Sequence, residues 1–158
     1  MATDRLLVEE SIHDELIEKI RHVLGTEWRG PFPLVLASGA MKVRALVQDA
    51  LDKGASLAYG VQSTLTKEEM EYHHKKTTLP GPTLVSGVTN DMEMNHLENF
   101  GPTMSVMTFK SEEEGIKLAN DTAYGLSASV WTRDLAKGIR VAQQIVSGCV
   151  HMSLMSDL

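Results

Sequence analysis

A single soluble α/β domain, with a mainly parallel sheet flanked by helices, is the fold class this sequence predicts. Three observations predict it. From Met104 to Leu154 the apolar pattern alternates as strand, helix, strand, helix, strand, and connections of that type favour parallel pairing under a cover of helices. The chain has 158 residues, enough for one domain and a sizeable core. Its hydrophobic content of 42% and charged content of 23% are ordinary for a globular protein.

The elements follow in order. Leu6-Leu7-Val8 reads as a short strand. Ser11 reads as a helix N-cap with Asp14 in the capping-box position. Ile12, Leu16, Ile17, Ile20, Val23 and Leu24 recur at helical spacing, and Gly25 suits the helix end. Trp28, Gly30, Pro31 and Pro33 mark a loop. A second helix spans about Ala40 to Lys53, with Val43, Leu46, Val47, Ala50 and Leu51 on its apolar face and Gly54 at its end. Ala55 to Tyr59 is a buried strand. Gln62 to Gly81 is polar and irregular, with a short helix around Lys67 to His74.

The second half is more regular. Thr83 to Val88 is a strand, and Asp91 to His96 forms one helical turn. Met104 to Phe109 alternates, placing Ser105, Met107 and Phe109 on one face. Ser111 and Glu114 form a capping box for a helix ending near Asn120. Leu126 to Thr132 is the next strand. Asp134 caps a helix whose inner face is Leu135, Ile139, Ala142, Ile145 and Val146. Gly148 ends it, and Cys149 to Leu154 is the last strand.

Composition narrows the function. The net charge is −6. With no basic stripe, it argues against a nucleic-acid partner and against an anionic membrane surface. The single cysteine, Cys149, excludes an internal disulfide and points to a reducing, cytoplasmic setting. Met1 to Glu10 carries acid early and lacks an apolar core, so it is not a secretory signal. No run of about 20 apolar residues is present to span a membrane.

Several residues bear on chemistry. Cys149 follows a helix-ending glycine on a predicted core strand, so it reads as a small buried apolar residue rather than a nucleophile. His73 and His74 are adjacent and therefore point to different faces, which makes no metal pair. His96 lies two residues before Glu98, and a His–Glu pair is a sensible acid/base couple near neutrality. An exposed loop histidine is the plainer reading. The nine methionines suit either a soft ligand pocket or gap-filling in the core. No G-x-G-x-x-G or other phosphate loop occurs, so neither cofactor nor metal is expected.

The stretch from Leu97 onward carries a resemblance. Leu97-Glu98-Asn99-Phe100-Gly101-Pro102 is similar to an E-E-I-F-G-P motif. Asn120-Asp121-Thr122-Ala123-Tyr124-Gly125-Leu126-Ser127-Ala128-Ser129-Val130-Trp131-Thr132-Arg133-Asp134 is similar to N-D-x-x-Y-G-L-x-A-x-V-x-T-x-D. Both patterns belong to aldehyde dehydrogenases. Asp14-Glu15-Leu16, Gly54-Ala55 and Pro82-Thr83-Leu84 with Asp91-Met92 match the same family more loosely. The resemblance covers nearly all the chain and implies that residues 1–158 form one truncated catalytic domain of that family.

The resemblance also implies roles and absences. The family's catalytic cysteine would fall just before Met1, and its dinucleotide-binding half, general base and oxyanion-hole asparagine lie upstream. Glu98 and Phe100 match residues that touch the ribose and flank the nicotinamide, although Leu97 and Asn99 depart from the pattern. His151 lies on the strand that leads into the family's substrate pocket, where Ser153 replaces the usual asparagine. The candidate catalytic residues are therefore His151, His96 and Glu98. The expected function is non-redox chemistry, a cyclisation or isomerisation, on a reactive carbonyl compound in small-molecule biosynthesis, without a cofactor and in a homo-oligomer. An interaction subunit that docks on a full-length relative, and an inactive piece of an NAD(P)-dependent aldehyde dehydrogenase, stay open as alternatives.

Overall fold

The computed structural model describes residues 3–27, 32–60, 78–79 and 81–154. The helix expected around Lys67 to His74, with His73 and His74, lies outside the described residues, as do Trp28 and Met155. The chain forms two compact units, Met1–Thr108 and Phe109–Leu158.

The first unit is built on a four-stranded sheet. Its strands are β1 (Arg5–Glu9), β6 (Thr103–Phe109), β5 (Thr83–Ser86) and β3 (Ser56–Tyr59), in that spatial order. β5 and β6 are parallel, with Leu84 opposite Met104 and Ser86 opposite Val106. β3 joins β5 antiparallel at the edge, a common addition to a parallel sheet. The expected α/β class with parallel pairing is thus present, and an antiparallel edge strand refines it. A short antiparallel pair joins β2 (Phe32–Pro33) and β4 (Thr78–Leu79).

Helix α1 (His13–Glu27) covers one face of the sheet. Ile17 packs with Val8, Leu84 and Val106, and Leu16 and Ile20 press against that cluster. The predicted cap is different. Ser11 sits in a 3-10 turn over Glu10–Ile12 and its hydroxyl donates to Glu9 Oε1 at 3.2 Å, so the turn, not a Ser11 cap, leads into α1. Gly25 lies inside the helix, which continues to Glu27 while Thr26 Oγ1 bonds back to the His22 carbonyl. Ile12 and Val23, at the ends of the apolar stripe, are exposed.

Helix α2 (Ala37–Asp52) begins three residues earlier than its periodicity suggests and buries Ala40, Val43, Leu46 and Ala50. Gly54, with φ of 99°, takes the left-handed conformation that ends it. Helix α3 (Glu93–His96) is the single expected turn. Asp49 joins it to α2: Glu93 N–H donates to Asp49 Oδ2 at 2.9 Å, while Lys53 sits 2.8 Å from Asp49 Oδ1 and donates to the Asp91 carbonyl at 2.6 Å. The lysine and the Glu93 amide hold the Asp49 carboxyl below the usual aspartate range.

β6 lies between β1 and β5 and is buried on both faces over most of its length, including Ser105, Val106 and Met107. The alternation expected of a one-sided strand gives way there to near-continuous burial.

The second unit contains α4 (Glu112–Asn120), β7 (Ala128–Thr132), α5 (Leu135–Ala142) and β8 (Val150–Leu154). β7 and β8 pair in parallel, Ser129 opposite His151 and Trp131 opposite Ser153. The expected caps both form. Ser111 Oγ accepts from Glu114 N–H, and Asp134 Oδ1 accepts from Lys137 N–H. Helix α5 stops at Ala142, short of the predicted Val146. Asn120 is the reason: its amide donates to the Gln144 carbonyl and accepts from Val146 N–H, both at 2.8 Å, and these bonds draw the chain out of the helix. Gly138 lets α5 lie close on the strands. A Cβ there would meet Thr132 Cγ2 at 3.1 Å and Met152 Sδ at 3.7 Å.

Candidate functional site

Strand β8 has a period of two, so Met152 turns toward α5 while Cys149, His151 and Ser153 share the opposite side. The register adds Ser129 and Trp131 to that open face. Cys149 was expected to be buried, and it is exposed. The physical reason is the size of the sheet: β7 is the only strand paired with β8 among the described residues, and α5 covers the other side. Cys149 Sγ lies 3.4 Å from His151 Nε2, within sulfur hydrogen-bond reach.

The indole of Trp131 stands 63% exposed on this face, and its Nε1–H donates to Ser129 Oγ at 3.1 Å. A cleft of about 320 Å³ begins one residue before Cys149. Asn120, Thr122, Tyr124, Val146, Ser147 and Gly148 are among its walls. Its backbone is fixed by Gly148 N–H donating to the Gly125 carbonyl at 2.7 Å and by Ser147 Oγ donating to the Cys149 carbonyl at 3.1 Å.

His96, Glu98 and Phe100 belong to the first unit. His96 Nε2–H donates to the Asn90 carbonyl at 2.6 Å, which leaves Nδ1 as the basic nitrogen. The Glu98 carbonyl accepts from Lys42 Nζ at 2.7 Å. Among the described residues no hydrogen bond or ion pair joins His96 to Glu98. Phe100 carries a φ of 48°, rare for an aromatic residue, and its ring is 79% exposed. Asn99, the residue before it, is buried, with Nδ2 donating to Asp4 Oδ1 at 2.7 Å.

A strand-turn-helix unit with these motifs has a family. The model described as "Aldehyde dehydrogenase family" matches residues 1–157. The chain belongs to the aldehyde dehydrogenase family. It is 37% identical over 160 residues to the betaine aldehyde dehydrogenase of Bacillus subtilis (strain 168), covering 96% of this chain and 32% of that protein. Among solved structures, a salicylaldehyde dehydrogenase from Pseudomonas putida G7, complexed with salicylaldehyde, superposes with a TM-score of 0.82 at 30% identity. That match covers 98% of this chain and 31% of the other. An NADP-dependent glyceraldehyde-3-phosphate dehydrogenase from Bacillus halodurans C-125, complexed with NADP, gives 0.81 at 28% identity, covering 97% and 31%. The chain thus spans about a third of the length of the relatives it matches.

A dinucleotide is the cofactor this family implies. By the resemblance Glu98 and Phe100 would meet its ribose and nicotinamide ring, and the sequence holds no G-x-G-x-x-G loop for its pyrophosphate. Among the described residues no group of three or more His, Cys, Asp or Glu is placed to hold a metal ion. Among them, too, no helix is long and apolar enough to cross a membrane.

The cysteine was the residue misjudged from sequence. Cys149 and His151 are two apart on a strand, which already put them on one face. What periodicity did not supply was the open side of a two-stranded sheet.

Proposed function

We propose that this chain handles a reactive carbonyl compound by non-redox chemistry, through Cys149 and His151 in the second unit. The observation that carries the reading is the 3.4 Å approach of an exposed thiol to an exposed imidazole. A nucleophile with a base in hydrogen-bond reach is the minimal arrangement for covalent catalysis. His151 takes the thiol proton, and the sulfur adds to the carbonyl carbon. The C=O π bond breaks as its electron pair moves to the oxygen, leaving a C–O single bond, and the proton passes from the imidazole to that oxygen. The product is a hemithioacetal, formed without electron transfer. From such an adduct, or from the free carbonyl, the imidazole can shift a proton between neighbouring atoms, as an isomerisation or cyclisation requires. Trp131 supplies a flat apolar wall on the same face.

The reading is tested by mixing the protein with a ¹³C-labelled aldehyde in the absence of NAD(P). The expected result is a hemithioacetal carbon signal that the Cys149→Ser variant lacks, with slower iodoacetamide alkylation of Cys149 in the His151→Ala variant. Reduction of added NAD(P) by the pure chain would instead support aldehyde oxidation, the activity that the names of its relatives carry. A second reading rests on a different observation: seven large apolar side chains among the described residues of the second unit are exposed, Leu126 and Val146 at 78% each. Such a surface favours self-association into a homo-oligomer, most simply an isologous dimer. A light-scattering mass equal to one chain at all concentrations removes it.

A further inference from the structure

We propose that Ser86, His13 and Asp14 form a second nucleophilic centre, in the Met1–Thr108 unit, that transfers small acyl groups from activated esters to water. Ser86 Oγ lies 2.7 Å from His13 Nε2, and His13 Nδ1 lies 2.8 Å from Asp14 Oδ1. A carboxylate only accepts, so the Nδ1 proton points to Asp14. That assignment leaves the lone pair on Nε2, and the Ser86 hydroxyl donates to it. Nucleophile, base and orienting carboxylate therefore stand in the order and at the distances that serine catalysis uses.

The fold places this centre where α/β sheets expose their sites. Ser86 is the last residue of β5, at the carboxyl end of a strand paired in parallel with β6. His13 is the first residue of α1, and 73 positions separate it from Ser86. Ser86 itself is 6% exposed, whereas the His13 side chain is 22% exposed, so access runs along the imidazole. Gly87 follows with φ of 76°, and a Cβ built on it meets no heavy atom within 4 Å. Apart from its chain neighbours, the direction a Gly87 side chain would take is therefore unobstructed.

The chemistry balances with water as the only co-reactant. The Ser86 oxygen bonds to the ester carbonyl carbon as His13 takes the hydroxyl proton. The bond from that carbon to the leaving oxygen breaks, and His13 gives the proton to the departing alkoxide. Water then attacks the acyl-serine by the same route, releasing a carboxylic acid and restoring the hydroxyl.

The test uses the full chain carrying Cys149→Ser, so that a thiol contributes nothing and the carbonyl reading stands or falls separately. A biotinylated fluorophosphonate is added, and the adduct is mapped by mass spectrometry. Hydrolysis of p-nitrophenyl acetate is followed alongside. The expected result is a single adduct on Ser86 and an esterase rate that Ser86→Ala removes and His13→Gln lowers by about 100-fold or more. Asp14 acts through His13 as a positioning residue. Asp14→Asn should lower kcat roughly 10-fold with KM unchanged, and Asp14→Glu should recover part of it. Asp14 is fully exposed, so these two variants report even if the buried serine does not tolerate change. No adduct at Ser86, or an unaltered rate in Asp14→Asn, overturns the proposal and leaves the triad as a clasp between α1 and β5.

Discussion

The two units of this chain solve the problem of stability in different ways. Every buried apolar side chain among the described residues lies in Met1–Thr108, from Val8 to Met107. The second unit buries a glycine, Gly138, and leaves Trp131, Leu135, Ile139 and Met152 exposed. Its order comes from polar devices instead: the capping serine Ser111, the Asn120 amide, and the bidentate pair of Arg140 with Glu112 at 2.7 Å. Burial is worth about 25 cal/mol per Å² of apolar surface, while a hydrogen bond nets roughly 1 kcal/mol. A unit held by the second kind of interaction opens more readily. The Cys149–His151 pair sits in that unit, and the Ser86–His13 pair sits against the core of the other.

The largest effect should come from breaking the core. Leu84 is 1% exposed and packs with Val8, Ile17 and Val106. Leu84→Ala removes a buried side chain and leaves a cavity, at a cost of about 2–5 kcal/mol. Chemical denaturation should show that loss in the signals of the first unit. A change below about 1 kcal/mol would mean that the cluster closes over the gap.

A smaller loss is expected when the clamp of the second unit is removed. Asn120→Ala takes away the donor to the Gln144 carbonyl and the acceptor for Val146 N–H. About 1–2 kcal/mol should be lost, read as faster amide exchange at Val146 and along β8. Equal acceleration in α1 would show that the two units open together, contrary to the contrast drawn between them.

How much of this was legible in the sequence follows from the same contrast. In the first unit, the helical spacing of Val43, Leu46 and Ala50 gave the buried face of α2 because a real core receives it. Ser111 and Asp134 were readable as caps because capping depends on neighbours only three residues away. Ser11 failed the same test because a 3-10 turn took its place. The burial of Cys149 was misread because strand character says nothing about how many strands lie alongside. Neither the Asn120 clamp nor the His13–Ser86 contact is visible in periodicity, since each joins residues far apart in the chain, 24 to 26 positions and 73 respectively. The family motifs around Glu98 and Asn120 were legible despite the departures at Leu97 and Asn99, yet they do not reveal that Glu98 is tied through its backbone to Lys42.

The smallest effect sharpens the comparison most, because it concerns charge alone. The Arg140 guanidinium donates Nε–H and Nη2–H to the two Glu112 oxygens and holds that carboxyl below the usual glutamate range. A carboxyl whose folded pKa is depressed stabilises the fold above its unfolded pKa, and the contribution fades as pH falls through the folded value. Glu112→Gln keeps the shape and removes the charge. At neutral pH the variant should therefore show slightly faster exchange in α4 and α5 than the parent. Below the ordinary glutamate range the difference should shrink toward nothing, because the parent has lost its charge as well. The Arg140 side chain is exposed and that of Glu112 partly so, so added salt should shrink the neutral-pH difference too. Because Glu112 and Arg140 both lie in the second unit, the exchange rates of α1 and β5 should not move at any pH. A difference that persists unchanged into acid would assign the effect of Glu112 to its packing rather than to its charge.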